Sequence, residues 1–428
     1  MTTQPYPSQC LCDVFSKQYT PISTLEELRT YLQSAVTLEF ATIPAYLTAL
    51  YSMKEVDGDA YRLTRSVALE EMFHVYQAAN LLIAVGGIPR FTGEDTPTYP
   101  TFIPNGDKEA TPYIGLRAAT PEVYRDVFMR IETPAPAEAP PEDENIRTIG
   151  QFYKAIELGL EYLEAQMPAG ETIFHNAPGY TQTTDFYIGK GGGYIVKVTD
   201  LASAKLAIRQ IVEQGEGAVK PGEPLVPTEA WGAYNHYGNR IDGNYGPILG
   251  SEPYELSHYF KFKRIADGSA PLPATYPIVA LPKRDNYQGD AAELCDLFNG
   301  FYSVFLRAME QAFSDDPAKQ KLYFQTALPI MHAVLPTLAQ QMMQTCVWEQ
   351  GSASAGPNAA PTWQYRDEPL LAVQAETQAL VARLQLAERQ ARTVTETATL
   401  QTMLGVLESV KEQADQMVAV ANVTGCSL

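Results

Sequence analysis

Within the stretch VALEEMFHVY, Glu71 and His74 stand three residues apart, so on a helix both project from one face and reach toward a single point. The residues about one turn away, Val67, Ala68 and Val75, are apolar, which places this carboxylate and imidazole where a surface pair does not belong. Glu39 repeats the anomaly: Ala35, Val36, Thr42 and Ile43 surround it on its helix face, and no Lys or Arg lies within a turn. A carboxylate in an apolar interior must be protonated, paired or bound to a cation. The chain is thereby constrained to a fold that gathers such groups from separate helices.

The helices themselves are marked. Thr24-Leu-Glu-Glu27 is a capping box that opens a helix over about 25–53, with Pro44 inside it predicting a kink just after Glu39. A second helix follows Asp57-Gly58-Asp59 and ends at Gly86-Gly87, so the two read as an antiparallel hairpin. Residues 88–120 read as a long ordered loop, and Thr133 to Glu144 as a proline-rich acidic stretch. Thr148 caps a third helix to about Gln166, and Tyr194 to Thr199 alternates like a short strand. Asp200 caps a fourth helix ending near Gly217. Further helices are expected over about 251–266, 288–314 and 317–347.

The tail over 372–423 reads as helical throughout, with an apolar stripe at Leu400, Leu404, Leu407, Ala414, Val418 and Ala421. Its alternatives are packing onto its own bundle or forming a homodimer through these C-terminal helices. The expected organisation is a tail at 1–21, a metal-binding bundle with insertions at 22–270, an additional helix pair at 271–365 and a helical extension at 366–428.

Lys and Arg total 31 against 50 Asp and Glu, a formal charge of −19 that disfavours phosphate-backbone contacts and argues against nucleic acid. No apolar run of membrane-spanning length occurs, and the start of the sequence has no basic region followed by an apolar stretch, so a cytoplasmic location without membrane attachment is expected. The cysteines at 10, 12, 295, 346 and 426 form neither a disulfide framework nor a zinc spacing.

Other acidic side chains on the helices complete a candidate ligand set. Glu157 lies on the third helix near Tyr153 and Leu160, Glu213-x-x-Glu216 on the fourth, and Glu255-x-x-His258 repeats the spacing of Glu71 and His74. One Glu from each of two helices and a Glu-x-x-His from each of two others is the ligand pattern of di-iron and di-manganese bundle proteins. Glu70 is expected to support a ligand or face solvent, and His175, His236 and His332 lack partners at ligand spacing.

The segments LEFATIPAYLTALYS, LEEMFHVYQAANLLIAVGGIP, VTDLASAKLAIRQIVEQGEG and ELSHYFKF resemble the ferritin-like domain of iminophenyl-pyruvate dimer synthases of violacein and indolocarbazole biosynthesis. The likeness extends over roughly residues 22–365. It implies an all-α fold, a ferritin-like four-helix bundle with long loop insertions and additional C-terminal helices, and oxidative work in secondary metabolism. The ligand positions it implies are Glu39, Glu71, His74, Glu157, Glu213 and His258. Glu216 stands where a bundle Glu-x-x-His would put histidine, so His258 is favoured for the second half-site, with Glu216 as an extra ligand. The synthases of that pathway are much longer chains.

The expectation is a di-metal oxidase or oxygenase holding two metal ions, iron in preference to manganese. It would use O₂ on a small, amino-acid-derived substrate, with Tyr46, Phe73, Tyr76 and Tyr153 lining the cavity and the loops at 88–120 and 220–250 forming the entrance. The alternatives are imine coupling, as in iminophenyl-pyruvate dimer synthases, or metal binding without turnover.

Overall fold

Thr24 Oγ1 accepts the backbone N–H of Glu27 at 3.2 Å and Glu27 Oε2 accepts that of Thr24 at 3.0 Å, so the first helix starts where its capping box lies. The computed structural model describes residues 21–103, 111–134, 148–183, 195–215, 256–348, 353–424 and 428. Helix α1 (Leu25–Ser52) runs unbroken through Pro44. α2 (Asp59–Ala84) ends in a turn where Gly86 adopts φ +79°, and Arg29 from α1 donates to the Val85 carbonyl at 2.8 Å.

A helical run over 121–131, α3, was not anticipated; it comprises Pro121–Val123, a π-turn at Tyr124–Phe128 and Met129–Ile131. Its signals were present: Thr120 caps it by accepting the Val123 N–H, and Pro121 occupies the first turn, where its missing N–H costs nothing. Then come α4 (Ile149–Ala165), α5 (Leu201–Gly215) and α6 (His258–Ala266). α7 is Gly289–Gln311, and α8 joins Pro317–Pro329 through a π-turn at Ile330–Val334 to Leu335–Met343. α9 (Leu370–Gln390) and α10 (Val394–Thr424) finish the chain.

α1 and α2 form the tightest helix pair, α4 pairs with α5, and the two pairs meet through α1 with α4 and α2 with α5, which makes the four-helix bundle. α6 closes over α2 and α3, while α8 lies against α1. Among the described residues there are isolated β-bridges and no strand.

Two expectations are corrected. The run from 195 to 199 forms no strand, because side-chain amides take its backbone groups: Gln77 Oε1 accepts the Val196 N–H at 2.9 Å, and Gln182 brackets Val198 from both sides. The tail is two helices rather than one, interrupted at 391–393, and they pair with each other while α9 packs on α7 and α10 on α8. In α10 the buried stripe is Met403, Leu407, Val410, Ala414 and Met417, with Leu404 beside it, so Leu404, Leu407 and Ala414 of the expected stripe are buried while Leu400, Val418 and Ala421 are half-buried. The glycine run at 189–193, Glu216, Glu255 and the loop at 220–250 with His236 lie outside the described residues, as do Cys10, Cys12 and Cys426.

Candidate metal centre

Glu39 on α1 and Glu71 and His74 on α2 are each about 2% exposed or less, and their side chains converge between the two helices. His74 Nδ1 lies 3.5 Å from Glu39 Oε2 and 3.4 Å from Glu71 Oε2. Its other nitrogen, Nε2, is 2.8 Å from Gln214 Oε1 on α5; an N–H there fixes the tautomer that turns the Nδ1 lone pair inward.

His258 mirrors this arrangement from the first turn of α6. Its Nδ1 is 2.8 Å from Glu71 Oε1 and 3.6 Å from Glu132 Oε2, and its Nε2 is 2.9 Å from Glu70 Oε2. Glu70 is fully buried and accepts both an imidazole and the Lys261 ammonium, at 2.7 and 2.8 Å. Burial alone would raise the Glu70 carboxyl, but Lys261 and His258 outweigh it and hold the group ionised.

Each outer carboxylate is held by one tyrosine. Tyr153 on α4 donates to Glu39 Oε1 at 2.7 Å, and Tyr46 on α1 donates to Glu132 Oε1 at 2.7 Å. In both cases the second oxygen faces an imidazole Nδ1. The centre therefore consists of two half-sites, Glu39 with His74 and Glu132 with His258, and Glu71 offers one oxygen to each. Gly215, at the end of α5, permits the close approach, since a Cβ there would lie 3.2 Å from Glu132 Oε2.

Burial and the close approach of like and unlike charges shift every titratable group in the cluster. Burial pushes the Glu39 carboxyl up to about 7, and Glu132 is raised by burial and by the Glu71 charge. Against the burial that would lower it, His74 is held up to about 9 by Glu39 and Glu71, and His258 is raised by Glu132 and Glu71. Glu71 lies well below the carboxylate range, because the two imidazoles overcome its burial. Glu71 Oε2, His258 Nδ1 and Gln214 Nε2 are buried without a hydrogen-bond partner, the short His258–Glu71 separation falling outside hydrogen-bond geometry. Glu71, His74 and His258 present ligand atoms within 4.8 Å of one another. Orphaned donor atoms of hard oxygen and imidazole type, converging in a dry interior, fit a divalent transition metal.

Of the residues expected from sequence, Glu39, Glu71, His74 and His258 meet here. Glu157 does not: it lies on the partly exposed side of α4, paired with Lys154 at 3.0 Å and near Lys205 at 3.9 Å. Glu213 is half-buried on α5, and the residue of that helix which reaches the centre is its neighbour Gln214. Tyr46 and Tyr153 line the centre as expected, whereas the Tyr76 hydroxyl bonds to Tyr323 instead. His175 and His332 are exposed and stand apart.

Glu132 is the residue the sequence reading missed. Its signal was an acid closing the apolar stripe Val123, Tyr124, Val127, Phe128 and Ile131, at a helix C-terminus where the dipole disfavours negative charge.

A family model described as "Ferritin-like" matches residues 32–267. Among curated proteins, the dichlorochromopyrrolate synthase of Lentzea aerocolonigenes is 23% identical over 424 aligned residues, covering 82% of this chain and 37% of that protein. The chain thus spans little more than a third of the length of this relative. A crystal structure of a ferritin-like protein from Caulobacter vibrioides aligns with a TM-score of 0.53 at 21% identity, over 81% of this chain and 100% of the other, and shows the same fold.

Proposed function

This chain belongs to the ferritin-like family, and from that premise we propose that it is a di-metal oxidase or oxygenase, with iron as the metal, acting with O₂ on a small, amino-acid-derived molecule of secondary metabolism. The observation that carries the proposal is the division of Glu71: Oε2 faces the Glu39–His74 half-site and Oε1 the His258–Glu132 half-site. Two divalent ions would be held by Glu39, His74 and Glu71 on one side and by Glu71, His258 and Glu132 on the other. Bound iron would supply the electron-transfer and O₂ chemistry.

The chain's own part is positional and electrostatic. Gln214 and Glu70 fix the imidazole tautomers, Lys261 neutralises Glu70, and Tyr153 and Tyr46 hold the outer carboxylates with one oxygen free. Three carboxylates against two divalent ions leave one positive charge uncompensated, which favours an anionic oxygen ligand or a substrate carboxylate at the open positions. The rings of Phe128 and Phe262, centred 4.7 and 5.0 Å from that of Tyr46, keep the His258 side dry.

One observation favours a second reading. Glu71, His74 and His258 alone form a two-histidine, one-carboxylate trio of the kind that holds a single non-haem iron. The motif likeness and the dichlorochromopyrrolate synthase match favour an imine or pyrrole-type substrate in either case. Anaerobic Fe(II) titration of the metal-free chain followed by an O₂ pulse tests both. Two ions per chain with substrate-dependent O₂ consumption support the di-metal enzyme, and one ion with turnover supports the trio. Iron uptake without product returns the chain to metal binding alone, and an absence of binding ends the proposal.

A further inference from the structure

A cavity of about 170 Å³ lies between the α1–α2 hairpin and α7–α8, apart from the carboxylate centre. None of its lining residues belongs to that centre. Phe40 and Met72 each follow one of its carboxylates in sequence, and one residue is about 100° of rotation on a helix. An apolar chamber of roughly 150 Å³ is enough to take up benzene, so this one has room for a single aromatic ring. The inner wall is apolar and aromatic, with Phe40, Met72, Phe305 and Trp363 buried, and with Tyr302, whose buried hydroxyl has no hydrogen-bond partner.

The mouth has a different chemistry. Arg65 and His332 are exposed there beside half-buried Tyr61, and no Asp or Glu lines the cavity, although the chain as a whole carries −19. Among the described residues no carboxylate pairs with Arg65. His332 enters the lining through the π-turn at Ile330–Val334, a deviation from α-helix that costs backbone regularity and recurs at functional sites. Partial burial of its ring and the Arg65 charge hold His332 below its ordinary value, so near neutral pH it offers a neutral imidazole rather than a second cation.

We propose that this chamber is a binding site for a small aromatic carboxylate, its ring against Trp363 and Tyr302 and its carboxylate on the Arg65 guanidinium. The guanidinium fork matches a carboxylate, and the buried rings favour a flat apolar body. The proposal does not depend on the metal centre.

Calorimetric titration of the metal-loaded chain with phenylacetate, and with 2-phenylethylamine as its cationic counterpart, tests it. Phenylacetate should bind one per chain, about tenfold or more tighter than the amine. Arg65→Gln, at an exposed position, should remove most of that preference, and Ala68→Phe, which fills the chamber, should abolish binding of both. Equal affinity for the amine, or unchanged phenylacetate affinity in Arg65→Gln, would overturn the proposal. Glu71→Gln should leave phenylacetate binding intact; its loss would move the ligand to the metal centre and sink the assignment of a separate site. If Ala68→Phe does not fold, the Arg65→Gln and Glu71→Gln titrations still decide the matter.

Discussion

Glu132 Oε2 lies 3.6 Å from His258 Nδ1, with the remaining Glu132 oxygen held by Tyr46. In the proposed di-metal centre it would complete the second half-site with the residue that caps the C-terminus of α3 rather than one from a bundle helix. Glu132→Gln should therefore lower the iron stoichiometry from two per chain to one while leaving the Glu39–His74 half-site loaded. Glu157→Gln, which removes only a partly exposed ion pair, should keep full stoichiometry and change stability by less than about 1 kcal/mol. Metal analysis after desalting checks both, and an unchanged stoichiometry in Glu132→Gln would count against that half-site.

In the proposed centre Glu71 would serve both half-sites, so its loss should be more severe than that of any other ligand. Glu71→Ala combined with His74→Ala is expected to abolish stoichiometric binding, measured by anaerobic Fe(II) titration. Full retention would show that the ions lie elsewhere.

The buried pair of Glu70 and Lys261 supports His258 and makes a separate prediction. Lys261→Met leaves the Glu70 carboxylate in an apolar interior with one imidazole, and should destabilise the metal-free chain by about 3–5 kcal/mol. Adding Glu70→Gln should restore part of this, because the uncompensated charge is gone. Denaturant melts of the single and double variants measure the recovery; equal stabilities would mean that the pair is not coupled.

Metal and protons should compete at the centre. In the metal-free chain Glu39 is raised to about 7 by burial, and His74 to about 9 by Glu39 and Glu71 against its burial, so both bind protons more tightly folded than unfolded. Their contribution is complete below the unfolded values and is lost as pH rises through about 7 and then about 9, so the metal-free melting temperature should fall over that range. Ligation requires Glu39 ionised and His74 neutral, so the increase in melting temperature on adding Fe(II) or Mn(II) should grow with pH. Calorimetry at several pH values checks this. A metal-induced increase that shrinks as pH rises would contradict the assignment of these ligands.

The helical hairpin α1–α2 was legible because its signals are local: a capping box, an apolar period and a glycine stop, all within reach of a few residues. Glu39, Glu71 and His74 were legible for the same reason, since a charged group on an apolar helix face is visible from its own neighbours. Glu157 misled because an acid on an amphipathic helix looks alike whether it turns toward a ligand or toward Lys154 and Lys205. The phase of one helix relative to another is not written in either helix alone. The same limit affected the extended run at 195–199, whose hydrogen bonds go to Gln77 and Gln182 from distant parts of the chain.

The sequence by itself determined that the protein is helical, where its first two helices begin and end, and that its acids on apolar helix faces must be protonated, paired or bound to a cation. The tertiary structure alone decided which of these side chains converge. It brought Glu132 from a short irregular helix and His258 from the start of α6 to the two sides of Glu71, and it left Glu157 among lysines. The physical reason is distance: periodicity reports a side chain's direction on its own helix, whereas ligation depends on atoms a few ångströms apart that come from segments far apart in the chain.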